Sequence, residues 1–332
     1  MATLNQTEVL TDVLDAFKTR YPVFSNIGTD FSSAEARLGD TIRGRIASVP
    51  SVTNYGGDSG SGEGYKTDAT SANSLTADVD IVLNKHKHVP IKVDYIDQIS
   101  TKRDLYNEVI GNVAYALGNQ VFSDMLATLT QANFTNEIVA STANSDFDML
   151  TLGNKILNAN GANPQGRFGL VNSDVFRSLQ GDSRIASGDF YGKLQTNSYG
   201  TLEGLVGFEN IIEVPNLPTT GTLTGFFGDQ SSIVMATRLP TDMDAVASRL
   251  GVPSIAKTET VTDPDSGLSF LGITYQDPHT FDLYTTVTLL YGFTAGAQGG
   301  ANNSSMDKAG FRVCTTAQST GGDAGFSNAL GA

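Results

Sequence analysis

The chain has no tryptophan, one cysteine and only three histidines among its 332 residues. A lone cysteine, Cys314, excludes an intrachain disulfide. A disulfide-stapled secreted scaffold is therefore excluded, and synthesis in a reducing compartment fits. Basic runs are missing too. Lys85-His86-Lys87-His88 is the densest patch, and 21 Lys and Arg against 35 Asp and Glu leave a net charge of −14. Phosphate contacts need clustered cations, so such a chain does not read as a sequence-specific nucleic-acid binder. No apolar run reaches the ~18 residues that span a bilayer. The opening MATLNQTEVL lacks the charged start and apolar core of a signal peptide. The expectation is a soluble protein made in the cytosol, with no membrane partner.

What is present is a long helical pattern. Over Ser100 to Leu129, the apolar residues Leu105, Val109, Val113, Leu117, Val121, Met125 and Leu129 recur mostly every fourth position and form one stripe. Ile110, Ala114, Phe122 and Leu126 widen it enough to pack on a sheet. Thr101 and Asp104 suit a capping box. The rod would be about 45 Å long, more than a small core needs. Gly111 and Gly118 lie inside it on one face, each at a cost of about 1 kcal/mol relative to Ala. Two readings stand: close packing points, which the pattern favours, or a bend that can straighten.

The whole chain, with 35 glycines and 39% hydrophobic residues, is long enough for two core-bearing units. Asn5 to Phe17 reads as a short amphipathic helix, stopped by Tyr21-Pro22 and followed by a polar loop. LGDTIRGRIASVPSV, from Leu38, reads as strand. Asn54 to Asn73 is almost wholly Gly, Ser, Asp, Thr and Asn, too polar to order itself. Then Leu75, Ala77, Val79, Ile81 and Leu83 alternate with Thr76, Asp78, Asp80 and Val82, as in a half-buried antiparallel strand. Strand, polar tip and returning strand make an extended arm leading into the long helix. Beyond it come a helix from Phe147 closing at Asn158 to Gly161, a strand at Phe168 to Val171, and a helix capped by Ser173. A strand follows at Asn210 to Val214, then the segment SSIVMATR. This is a mixed α/β region. From Asp244 the pattern turns to β: a hairpin of Ile255–Val261 and Leu268–Tyr275 around Asp263-Pro264-Asp265-Ser266-Gly267, then strands at Phe281 to Tyr291 and Phe311 to Thr316. Ser319 to Ala332 reads as a mobile tail.

Three chemical motifs fail on their partners. Gly57-Asp58-Ser59-Gly60 spells a serine-protease nucleophile motif, but sits in a low-complexity loop with every histidine later in the chain. His86 and His88 share a strand face without a third ligand of known spacing, so a solvated basic patch is the expectation. Asp263-x-Asp265-x-Gly267 lacks the rest of a calcium loop. No cofactor, metal or enzymatic activity is expected.

The order of parts resembles the major capsid proteins of tailed bacteriophages, the Hong Kong 97 type. LTADVDIVLNKHKHVPIKVDYID running into LYNEVIGNVAYALGNQVFSDML carries the resemblance, followed by RFGLVNSDVFRSLQ, LVGFENIIEVPNLP and GFFGDQSSIVMATR. It spans about Thr7 to Thr316, and the order of all segments, not any one motif, makes it. It implies an α+β fold with an N-terminal arm (1–39) and an extended loop (40–92). It implies a peripheral domain with the long spine helix (93–145 and 238–292), an axial domain (146–237 and 293–318) and a flexible tail (319–332). It further implies a shell of hexamers and pentamers in a virion, assembled in the host cytoplasm around double-stranded DNA bound without sequence specificity. A portal protein, a separate scaffolding protein and a possible decoration protein are the implied partners. Tyr55, Tyr65 and Lys66 would lie in the inter-subunit loop, with Lys66 the candidate should a loop lysine be cross-linked. Gly111 and Gly118 would be soft points of the spine helix. The acidity would suit either release of packaged DNA or simple solubility. An encapsulin-like compartment shell is the alternative, disfavoured by the long arm; a soluble hydrolase lacks its catalytic set.

Overall fold

The computed structural model describes residues 13–14, 22–47, 76–93, 105–134, 136–139, 147–159, 162–186, 200–214, 217, 223–240, 256–262, 269–277, 279–280, 282–296, 310–315 and 328–329. Val13 and Leu14, from the expected first helix, are helical and buried. A 3-10 helix at Pro22–Ser25 follows. The first strands are β1 (Gly28–Ala36), β2 (Thr41–Ala47), β3 (Thr76–Val82) and β4 (Lys85–Val93). Helix α1 (Leu105–Leu126) leads to β5 (Glu137–Val139), α2 (Phe147–Ala159), β6 (Phe168–Val171), α3 (Ser173–Gly181) and the single turn α4 (Ser183–Ala186). Then come β7 (Thr201–Leu205), β8 (Phe208–Glu213), β9 (Leu223–Gly228), β10 (Ile233–Pro240), β11 (Ala256–Thr262), β12 (Ser269–Gln276) and β13 (Leu283–Ala295). Last are β14 (Gly310–Cys314) and β15 (Asn328–Ala329).

The architecture is mixed α+β, with two large sheets and one two-stranded arm. In the first sheet the order is β1-β10-β13-β12-β11, and β4 also pairs with β13. Residues 283–288 of β13 pair with both β12 and β4, and residues 290–291 with both β10 and β4. Each strand residue has two hydrogen-bonding sides. So β4 runs along one edge of β13, and β12 and β10 share the other end to end. The expected strand at Phe281 to Tyr291 is thus the longest of this sheet. The expected hairpin is present as β11 and β12, with Val261 opposite Phe270; its turn residues 263–267 lie outside the described residues.

The second sheet has the order β15-β5-β14-β9-β6-β8-β7, and its central strands β14, β9 and β6 are buried along their whole length. These strands therefore read as largely apolar runs. Phe168, Leu170, Phe226 and Cys314 face the core that holds α1, while Val171, Phe227, Phe311 and Val313 face α2 and α3. A Cβ on Gly169 would stand 2.4 Å from the Phe227 ring, so glycine is what lets that ring lie across β6. Strand β14 enters between β5 and β9, which places one of the last segments of the chain inside the sheet.

Several expectations are corrected. Helix α1 ends at Leu126, not Leu129: the amides of Thr128 and Leu129 turn to Met125 O and Leu126 O, three residues back, which tightens and closes the last turn. Its expected capping box lies outside the described residues. The cap of α3 is Asn172, one residue before Ser173, because its Oδ1 accepts from Val175 N at 2.9 Å. The strand expected to carry His86 and His88 runs on through Val89-Pro90 to Val93 as β4, where a path into the long helix was expected. Strand β1 replaces an expected polar loop. SSIVMATR belongs to the first sheet through β10, so the expected boundary at 237/238 falls inside a strand. Asn328–Ala329, in the segment expected to be a mobile tail, pair in parallel with β5.

Candidate functional site

The arm carries the pattern that its sequence predicts. β2 and β3 pair antiparallel from Thr41 opposite Val82 to Ala47 opposite Thr76, and Arg43 Nε donates to Asp80 Oδ1 across the pair at 2.9 Å. At the base the alternation becomes burial: Ile81 and Leu83 are fully buried, while Val82 is 43% exposed. Ile81 and Leu83 form a small cluster with Ala236 and Leu290, so the arm is seated on the first sheet by its own core. Gly39 N donates to Leu83 O at 2.8 Å and Leu83 N to Asp40 O at 2.9 Å. The seat requires Gly292: a Cβ there would stand 2.2 Å from Val82 O, a backbone atom.

Helix α1 lies on the opposite face of that sheet. Val113, Leu117, Val121 and Met125 share a core with Ile91 of β4 and Val287, Leu289 and Tyr291 of β13. Inside this apolar contact Tyr291, fully buried, donates its hydroxyl to Asp124 Oδ2 at 2.6 Å. Gln120 Nε2 donates to the other oxygen at 3.2 Å, and Lys85 Nζ stands 3.9 Å from it. Burial, then the hydrogen bond and negative charge of Asp124, push the Tyr291 phenol well above its ordinary range. It stays a donor at any physiological pH, and the helix is clamped to β4 and β13. Sequence reasoning missed this clamp. Its signal was an acid one position off the apolar stripe.

The two sheets are joined at the β9–β10 turn. Asp229 is buried, and its Oδ1 accepts from Ser231 N at 2.9 Å and Ser231 Oγ at 2.7 Å. Burial raises its pKa, opposed by the Ser231 and Asn163 hydrogen bonds and the Arg167 charge. Gly296 N donates to Ser232 O at 2.9 Å, and a Cβ on Gly296 would overlap Ser231 O at 1.7 Å. The second sheet holds two buried cations. Arg167 donates to Asn154 Oδ1, Asn158 Oδ1, Ala162 O and Asn163 O, all neutral acceptors. Arg312 pairs with Glu137 at 3.0 Å, with both side chains at most 3% exposed, and also donates to Phe134 O. This pair ties β14 to β5. Burial pushes the Cys314 thiol up, opposed by the Arg312 charge and aided by that of Glu137, so it is an inert core group.

Of the residues singled out from sequence, Gly111 and Gly118 both lie within continuous α1, and Gly118 is buried. Tyr55, Tyr65 and Lys66 lie outside the described residues, as does Gly57 to Gly60. His86 and His88 are exposed on β4. Among the described residues no three His, Cys, Asp or Glu side chains converge as a metal centre. Also among them, no helix is long and apolar enough to cross a membrane.

The structure thus defines an α+β protein with an arm seated on one sheet and a long helix clamped to its other face. No protein-family model and no curated protein matches the chain. Solved structures do. The capsid of Ralstonia phage GP4 aligns at 10% identity and a TM-score of 0.54 over 90% of this chain and 89% of that one. The capsid structure of cyanophage P-SCSP1u aligns at 12% identity and 0.52, over 87% and 86% of the two chains. The mature capsid of bacteriophage PhiM1 aligns at 13% identity and 0.51, over 87% and 85%. At such identities the likeness is one of fold, and the fold is that of phage capsid proteins over nearly the whole length.

Proposed function

We propose that this chain is the major capsid protein of a tailed bacteriophage, without catalytic activity, which assembles with copies of itself into the icosahedral shell of a virion. The observation that carries the reading is the capsid fold shared across at least 85% of both chains. The Hong Kong 97 details are part of the proposal. The peripheral domain is α1 with the first sheet, the axial domain is the second sheet with α2 and α3, and β2–β3 with residues 48–75 is the extended loop that reaches a neighbouring subunit. Tyr55, Tyr65 and Lys66 would then make inter-subunit contacts. Hexamers and pentamers close the shell around double-stranded DNA, in the host cytoplasm, with a portal, a separate scaffolding protein and a decoration protein as partners.

The arm's physical logic supports this. A polar tip with little apolar surface orders only when a neighbour offsets its conformational entropy, which couples folding of the arm to assembly. Many weak contacts in a closed symmetric lattice then add. Gly111 and Gly118 are assigned as soft points of α1 in shell expansion; normal maturation of the doubly Ala-substituted chain would count against that role. Negative-stain microscopy of the protein expressed with and without its neighbouring genes tests the main reading. Closed polyhedral shells with hexameric units are expected. Small discrete oligomers under every condition would overturn it.

A further inference from the structure

The foot of the arm carries two histidines that the seat and the helix clamp do not involve. Val82 ends β3, Leu83 and Asn84 turn the chain, and β4 begins at Lys85 with His86 and His88 two residues apart. Strand alternation puts both imidazoles on one face, about 7 Å apart at Cα. Lys85 and Lys87 alternate to the other face, where Lys85 approaches Asp124 of α1. Both histidines are exposed. Thr288 of β13 stands directly opposite His88 in the ladder and lies diagonal to His86.

Thr288 bears on one ring. Its hydroxyl donates to Lys87 O at 3.1 Å. In the tautomer that matches this bond, the 2.7 Å contact with His86 is its Nε2–H donating to the Thr288 oxygen. That leaves Nδ1 of the neutral ring with its lone pair free. A histidine whose other nitrogen is held by a hydrogen-bond acceptor is the usual form of a metal ligand, oriented and made more basic by that bond. The cations on the same face do not block it. Lys92 is four residues beyond His88 and paired with Asp282 at 2.9 Å. Arg238 lies across β13 in the same row as His86, and its Nη1 donates to Thr237 O.

We propose that His86 and His88 form a two-imidazole chelate for a late first-row transition-metal dication, through His86 Nδ1 and one nitrogen of His88, at the foot of the arm. Water completes the coordination. Two nitrogens with oxygen in the remaining positions suit a tetragonal ion, so Cu2+ is preferred over Ni2+ and Zn2+. The bound ion ties the first turn of β4 together next to the seat of the arm.

The test uses the untagged full chain, stripped of metal and titrated with Cu2+. Electron paramagnetic resonance is expected to show one tight Cu2+ per subunit with hyperfine coupling to two imidazole nitrogens. His86→Ala and His88→Ala should each weaken binding at least tenfold. Thr288→Val, which keeps the shape and removes the acceptor, should weaken it by about 10–100-fold. His279→Ala, on the exposed loop before β13, should leave the titration unchanged. Equal Cu2+ affinity in the His86→Ala/His88→Ala double variant, or a one-nitrogen spectrum in the unsubstituted chain, would overturn the proposal.

Discussion

The sharpest mechanical claim concerns Gly292, and Gly292→Ala tests it. The added Cβ would stand 2.2 Å from Val82 O, 2.9 Å from Val82 C and 3.3 Å from Leu83 Cα. Ordinary contact needs Val82 O to retreat by about 1 Å. The obstructing atoms are backbone, so no rotamer change relieves the clash. Val82–Leu83 is held on two sides, by the Leu83–Asp40 and Gly39–Leu83 hydrogen bonds and by the Ile81, Leu83, Ala236 and Leu290 cluster. Either the arm lifts from the sheet or β13 is pushed down into the core above α1. Overpacking of this kind costs about 1–3 kcal/mol. Urea unfolding of the unassembled subunit measures it, and the same variant examined by electron microscopy reports whether a displaced arm still supports shells. Gly181→Ala is the control, since a Cβ there meets nothing within 4 Å. A Gly292→Ala subunit within about 0.5 kcal/mol of the parent would refute the seat.

Three further outcomes follow from the same contacts. Tyr291→Phe removes a hydrogen bond to a carboxylate and should cost about 1.5–3 kcal/mol by urea unfolding, with the helix clamp weakened. Arg312→Met removes the cation paired with buried Glu137 and should cost about 3–5 kcal/mol; adding Glu137→Leu should recover much of that, as read by thermal melts of both variants. Asp229 has its native pKa raised above the unfolded value, so the folded state holds the extra proton between the two values and this group's contribution to stability falls as pH rises through that window. The stability of the parent relative to Asp229→Asn should therefore improve as pH is lowered towards the ordinary carboxylate range, and a flat difference between the two urea curves down to that range would contradict the assignment.

Much was legible from the residues. Period-two alternation named the buried Ile81 and Leu83 and the exposed Asp80 and Val82 at the base of the arm, because one side of the chain there meets apolar atoms and the other meets water. The four-residue stripe of α1 and the apolar runs of β6, β9 and β14 were legible for the same reason. β1 and the second half of β4 were not. Their bonds run through the backbone to β10 and β13, which leaves little side-chain pattern; on β4 the residues 86, 88, 90 and 92 are exposed and Pro90 sits in the strand. Backbone ladders do not announce themselves in composition.

Sequence alone determined most of the local elements, the polar character of the arm's tip and the order of parts that resembles a capsid subunit, since these depend on periodicity and on residues near one another in the chain. Tertiary structure decided which sheet each strand joined, that β10 belongs with β13 and β14 with β9, and that glycine at 292 faces a carbonyl. It also decided that Asp124 meets Tyr291 and Glu137 meets Arg312. Those pairs are separated by more than 150 residues. Their energies depend on burial and distance, which exist only once the chain has closed on itself.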